Sequence, residues 1–136
     1  AVAVEGYDRA IERAEGCVDA GADVLFIEAV TDLDQVKSVV DRFGTRVPLL
    51  VNMVEGGKTP LMPAPKLQAL GYSIVIFPGA LVRVLAHAAG ELFDTLRTHG
   101  ETAPHHDKMF DLGELNRLLG TDAMLAAGQR YSDGGG

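Results

Sequence analysis

The chain has 136 residues, enough for one domain with a real core, and 47% hydrophobic against 23% charged residues marks it as globular, not disordered. A net charge of −7 argues against nucleic acid as a partner, because phosphate binding needs a basic surface. One cysteine, Cys17, rules out an intrachain disulfide and points to a reducing, cytoplasmic compartment, and no apolar run is long enough to span a membrane.

The chain has no initiating Met and no basic segment of a signal peptide. It begins in what reads as the middle of a unit, so a fragment of a larger protein is one expectation. The spacing of Ala10, Ile11, Ala14, Cys17 and Val18 predicts a helix over 7–20 with one apolar stripe, closed by Gly21. Cys17 on that stripe is expected to be a small buried hydrophobe. Asp23-Val24-Leu25-Phe26-Ile27-Glu28-Ala29 follows as a short buried strand with an acid at its carboxyl end. Thr31 or Asp32 can cap the next helix, which buries Leu33, Val36, Val39, Val40 and Phe43 and stops at Gly44.

The strand over 47–52 is the most informative stretch. It is almost wholly aliphatic, as a strand covered on both faces would be, until Asn52 ends it. A loop with Glu55, Gly56-Gly57, Lys58 and Thr59 comes next. Pro63 and Pro65 open a short helix that Gly71 closes. Ser73-Ile74-Val75-Ile76-Phe77 is a third buried strand, stopped by Pro78-Gly79. A long helix over 80–98 carries Leu81, Val84, Leu85, Ala88, Leu92 and Leu96 on one side. Residues 101–108 read as a solvated loop holding His105-His106-Asp107; adjacent residues rarely share a metal, and no third ligand stands at metal-site spacing. Residues 110–131 read as two short helices broken at Gly120, and 132–136 as a tail.

Regular alternation of helices and buried strands means α/β with a parallel sheet. Three strands could form a small open sheet or an arc of a (β/α)₈ barrel, a whole barrel needing about 250 residues. In either, ligands bind at the carboxyl ends of the strands. Glu28 and Asn52 stand there, as site residues or, for Glu28, as the partner of a neighbouring loop. Glu55, Lys58 and Thr59 belong to a loop whose glycines let backbone approach a ligand, or to an ordinary polar turn. Arg83 lies in the first turn of its helix, where a cation opposes the helix dipole; a ligand carboxylate or a nearby Glu would compensate it.

The motifs Ala3-Val4-Glu5-Gly6, Ile11-Glu12-Arg13-Ala14, Ala20-Gly21-Ala22-Asp23, Phe26-Ile27-Glu28-Ala29, Val51-Asn52-Met53, Glu55-Gly56-Gly57-Lys58-Thr59-Pro60 and Ile76-Phe77-Pro78 occur in that order. Together with Phe110, Glu114-Leu115-Asn116 and Leu118-Leu119-Gly120, they resemble the carboxyl-terminal half of the isocitrate lyase/phosphoenolpyruvate mutase superfamily. The resemblance implies the last three strands of a (β/α)₈ barrel over 1–100, and a helical carboxyl-terminal extension in subunit contacts over 101–136. It implies Mg²⁺-assisted chemistry on small α-oxo or 2-hydroxy carboxylic acids: C–C cleavage, P–C bond formation or oxaloacetate breakdown. Carried over by position, Glu28, Asn52, Met53, Val54 and Arg83 correspond to substrate-binding residues. Ile27 and Val54 stand where methylisocitrate-cleaving members more often have Pro and Thr, which leans towards mutase-like, dimethylmalate-type or oxaloacetate-type members.

The metal-binding acids, the catalytic Cys loop and the Arg-Thr-Asp-Ala strand of the superfamily would precede Ala1. The chain alone is therefore expected to be inactive and to bind Mg²⁺ weakly. Its expected partners are a small carboxylic acid, a missing amino-terminal half-barrel, and copies of itself. The alternative is a non-catalytic or degenerate barrel module acting in assembly.

Overall fold

A computed structural model describes residues 2–133, which fall into two compact units, the first running to Leu85 and the second starting at Ala86. In the first, α1 (Val2–Glu5) and α2 (Tyr7–Asp19) precede β1 (Leu25–Phe26), α3 (Leu33–Phe43), β2 (Leu49–Asn52), α4 (Ala64–Leu70) and β3 (Ile74–Ile76). The strands form a parallel sheet in the order β1-β2-β3. Leu25 pairs with Leu49 and Phe26 with Leu50; Leu50, Val51 and Asn52 pair with Ile74, Val75 and Ile76. Short α1 was not anticipated.

Local chemistry sets the helix boundaries. Asp32 caps α3 by accepting from the Gln35 amide at 2.8 Å, a contact that contributes about 1 kcal/mol. Pro63 precedes α4, and Gly71 ends it in the left-handed conformation. At the far ends of α2 and α3, Glu15 accepts from Arg42 at 2.6 Å and from Arg46 at 2.5 Å. The Arg42 and then the Arg46 hydrogen bond hold its carboxyl below the usual carboxylate range.

The core lies on one face of the sheet. Ile11 and Ala14 of α2, Val36, Val39 and Phe43 of α3, and Leu67 of α4 pack on Leu25, Leu49 and Val51. Tyr72 joins them and donates to the Val36 carbonyl at 3.2 Å. Here the structure corrects the sequence reading. Strands expected to be buried on both faces are covered on one: Phe26, Ile74 and Ile76 are 42%, 37% and 36% exposed. Side chains alternate across a strand, so the helices cover Leu25 and Leu49 while Phe26, Ile74 and Ile76 on the other face stay partly exposed. β1 is correspondingly only two residues long. Cys17 is exposed, not buried. Val18, the next residue, is the one that packs against the core in this turn.

In the second unit, α5 (Ala80–His99, its first turns belonging to the first unit) is followed by a 3-10 helix (Ala103–Lys108), α6 (Leu112–Leu119) and α7 (Thr121–Asp133). The segment read as a loop is thus helical, and His105, read as solvated, is 8% exposed. Its Nδ1 lies 3.3 Å from the Thr95 hydroxyl. Lys108 donates to Glu91 at 2.9 Å, which lowers the Glu91 pKa and raises that of Lys108. Asp111 and Glu114 form a reciprocal cap on α6, and Gly120 separates it from α7 as expected. Leu81, Val84 and Leu85 of α5, with Leu118, Leu119, Met124 and Leu125 of α6 and α7, are exposed. Residues 134–136 of the expected tail lie outside the described residues. Among the described residues no helix is long and apolar enough to cross a membrane.

Candidate functional site

The alternation that buries one face of the sheet decides which residues can reach the other. Along β1, Leu25 is buried in the core and Ile27 packs against it; Phe26 and Glu28, one residue out of step, face away. Along β2, Leu49, Val51 and Met53 are buried in the core, so Leu50, Asn52 and Val54 take the open face. Because β1 and β2 are parallel and in register, Glu28 and Asn52 arrive side by side at the carboxyl edge. They line one cleft of about 260 Å³ with Val54, Ala29, Lys58 and Thr59.

Two local features mark this edge. Ala29 has φ +66°, a left-handed conformation that costs an L-residue with a Cβ roughly 1–2 kcal/mol. It turns the chain directly after Glu28. The buried Oδ1 of Asn52 has no hydrogen-bond partner among the described residues. A buried acceptor without a donor is costly, so this atom is suited to receive a donor from a ligand.

The loop after β2 closes the side of the cleft. Gly57 donates to the Val54 carbonyl at 2.9 Å, and Gly56 sits at φ +75°. A Cβ on Gly57 would stand 2.9 Å from that same carbonyl oxygen, so the tight turn excludes a side chain there. Arg83 fastens the start of the loop. Its Nη1 donates to the Glu55 carbonyl at 2.6 Å and lies 3.4 Å from Glu55 Oε2. Glu55 is a nearby Glu of the kind the sequence offered as compensation for Arg83.

The five residues carried over by resemblance therefore separate. Glu28, Asn52 and Val54 share the cleft. Met53 is fully buried in the core, where its sulfur accepts from the Met62 amide at 3.4 Å. Arg83 holds the loop and is not among the side chains lining the cleft. Lys58 and Thr59, which sequence alone left between site and turn, do line it. The strain at Ala29 had no sequence signal, since any residue could follow Glu28 in a regular strand.

Chemically, the side chains of the cleft offer one carboxylate, one amide, one hydroxyl and one ammonium. That set can take up a hydroxyl and an anionic group. It does not by itself fit Mg²⁺, which wants several oxygen ligands in octahedral geometry. Glu28 is the single acid lining the cleft, and among the described residues no three His, Cys, Asp or Glu side chains stand together as a metal site.

Residues 2–97 match the family model described as phosphoenolpyruvate phosphomutase. The chain is 40% identical over 123 residues to the 2-methylisocitrate lyase of Vibrio cholerae, covering 88% of this chain and 40% of that protein. A crystal structure of 2,3-dimethylmalate lyase superposes with TM-score 0.84 at 32% identity, over 96% of this chain and 45% of the other. A phosphonopyruvate hydrolase complexed with oxalate and Mg²⁺ superposes with TM-score 0.72 at 25% identity, over 93% and 44%. The chain spans less than half the length of the proteins it matches. On the match over residues 2–97 and the shared fold, the chain belongs to the phosphoenolpyruvate phosphomutase family of the isocitrate lyase/phosphoenolpyruvate mutase superfamily.

Proposed function

We propose that the chain forms the substrate-binding side of a cytoplasmic, magnesium-dependent lyase or mutase acting on small α-oxo or 2-hydroxy carboxylic acids. Its three strands are the last three of a (β/α)₈ barrel, and residues 101–136 form a helical extension in subunit contacts. One observation carries the reading: Glu28 and Asn52 stand together on the uncovered face, at the carboxyl edge of a parallel sheet, in one cleft. In a barrel that face is the inner one, and that edge is where active sites lie. The names of the relatives support the substrate class, and the phosphonopyruvate hydrolase complex supports the metal.

In this cleft Asn52 Oδ1 accepts the hydroxyl hydrogen of a 2-hydroxy acid, and Glu28 fixes that end of the molecule by accepting a second donor. Val54 supplies an apolar wall. Met53 supports Asn52 from the core side, and Arg83 acts through the loop that it pins to Glu55. A bound magnesium ion would polarise the oxygens of the substrate. Its ligands and the acid–base groups belong to an amino-terminal half-barrel, since the residues here do not make such a site.

The test is kinetic. In the whole protein, turnover of oxaloacetate, 2-methylisocitrate and 2,3-dimethylmalate is measured with Mg²⁺ for wild type, Asn52→Ala and Glu28→Gln. At least one substrate is turned over, and each substitution lowers kcat/KM by tenfold or more, as loss of a roughly 1.5–3 kcal/mol hydrogen bond to a charged group requires. Turnover that neither substitution changes removes the cleft from the active site. It would favour the second reading, a non-catalytic module in assembly, which the exposed apolar residues of α5, α6 and α7 support.

A further inference from the structure

The cleft contains two charged side chains, Glu28 and Lys58, that face the same space without forming an ion pair. Lys58 makes no hydrogen bond or ion pair with any described residue. The other cation nearby is already engaged, since Arg83 is held by the Glu55 carbonyl and carboxylate. The choice of anion ligand within the cleft then follows from donor inventory. A carboxylate cannot take an anion. The orphan Oδ1 of Asn52 takes a donor. The Asn52 amide nitrogen can donate as well, but the Lys58 ammonium, with the Thr59 hydroxyl beside it, is the one cation among the lining residues and so the charge complement of a negative group.

Burial separates the two ends of a ligand. Both residues line the cleft, but Asn52 Oδ1 is buried, whereas Lys58 is exposed. The loop that carries Lys58 is not free to drift. The Gly57 amide closes a turn onto Val54, and the Arg83 guanidinium fastens Glu55. A hydroxy acid whose hydroxyl meets Asn52 leaves its far end for the exposed cation that lines the same cleft.

We infer that Lys58 is a specificity-determining residue that binds the distal anionic group of the substrate, so that the cleft selects dianionic hydroxy or oxo acids over monoanionic ones. This deepens the reading of the cleft given above and rests on it. The probes are malate and lactate, 2-hydroxy acids that differ by one distal carboxylate. Dissociation constants are measured by calorimetry on the whole protein, in wild type, Lys58→Met and Lys58→Arg, at low and high salt.

Wild type binds malate more tightly than lactate. Lys58→Met weakens malate about tenfold, the low end for a charged hydrogen bond because the group is exposed. It leaves lactate within about twofold. Lys58→Arg retains the preference, and added salt shrinks it. Folding is a separate control, the thermal midpoint staying unchanged because Lys58 makes no hydrogen bond or ion pair with a described residue. Equal losses for malate and lactate, or no loss for malate, overturn the assignment while leaving the cleft as the binding site. A wild-type protein that binds neither acid overturns the assignment and the proposed function together.

Discussion

Tyr72 offers a quantitative check on the packing that holds the sheet edge in place. It follows α4, is 5% exposed, and its hydroxyl donates to the Val36 carbonyl of α3. Burial, and secondarily the neighbouring Tyr7, push its pKa from the ordinary value near 10 up to about 12. Replacing it with Phe removes one neutral hydrogen bond, while the Val36 carbonyl keeps its helical partner. The expected loss at pH 7 is about 1 kcal/mol. The sign of the pH effect follows from linkage. The folded pKa is the higher one, so the phenol's stabilisation is fully present below pH 10 and is lost as pH rises towards and through 12. At pH 11 the unfolded phenol is mostly ionised and the folded one mostly is not. Wild type has then lost on the order of 1 kcal/mol that Tyr72→Phe cannot lose. Urea unfolding followed by circular dichroism, at fixed protein concentration, therefore shows wild type about 1 kcal/mol more stable at pH 7. The two proteins are nearly equal at pH 11. A stability difference that stays constant from pH 8 to 11 would refute the argument that this hydroxyl is buried and protonated.

Phe43, fully buried beneath β2, is expected to cost about 3–5 kcal/mol when changed to Ala, read as a lower denaturation midpoint; a loss under 1 kcal/mol would mean that the core closes elsewhere. The uncovered sheet face predicts association, because exposed strand edges and apolar surface find partners. Sedimentation should show the wild-type chain assembled at micromolar concentration, with α5 and the segment from Phe110 contributing to the contacts. Phe26→Lys should weaken that assembly without unfolding the first unit, since Phe26 lies outside its core. A compact wild-type monomer would refute this and would favour a self-sufficient small sheet.

Local chemistry was readable from the sequence because it acts within a few residues. Asp32, Gly44, Gly71 and Gly120 bound their helices as the sequence indicated, each through contacts made inside a single turn. The apolar runs within 23–29, 47–52 and 73–77 placed the three strands, which are shorter in the structure, and their alternation with helices implied the parallel order. The motif order was specific enough to identify the family. Other features depend on what lies across from a residue, which no local pattern contains. An all-aliphatic strand looks the same whether one face is covered or two, so the exposure of Phe26, Ile74 and Ile76 was decided by helices packing on one side only. Asn52 and Met53 are neighbours in sequence, yet strand parity sends one to the cleft and the other to the core. His105 became buried because a 3-10 turn carries it to Thr95, and Arg83 was claimed by Glu55, 28 residues earlier. The sequence therefore determined the elements and the chemical groups at the carboxyl edge, whereas the tertiary packing decided which of those groups share a cleft.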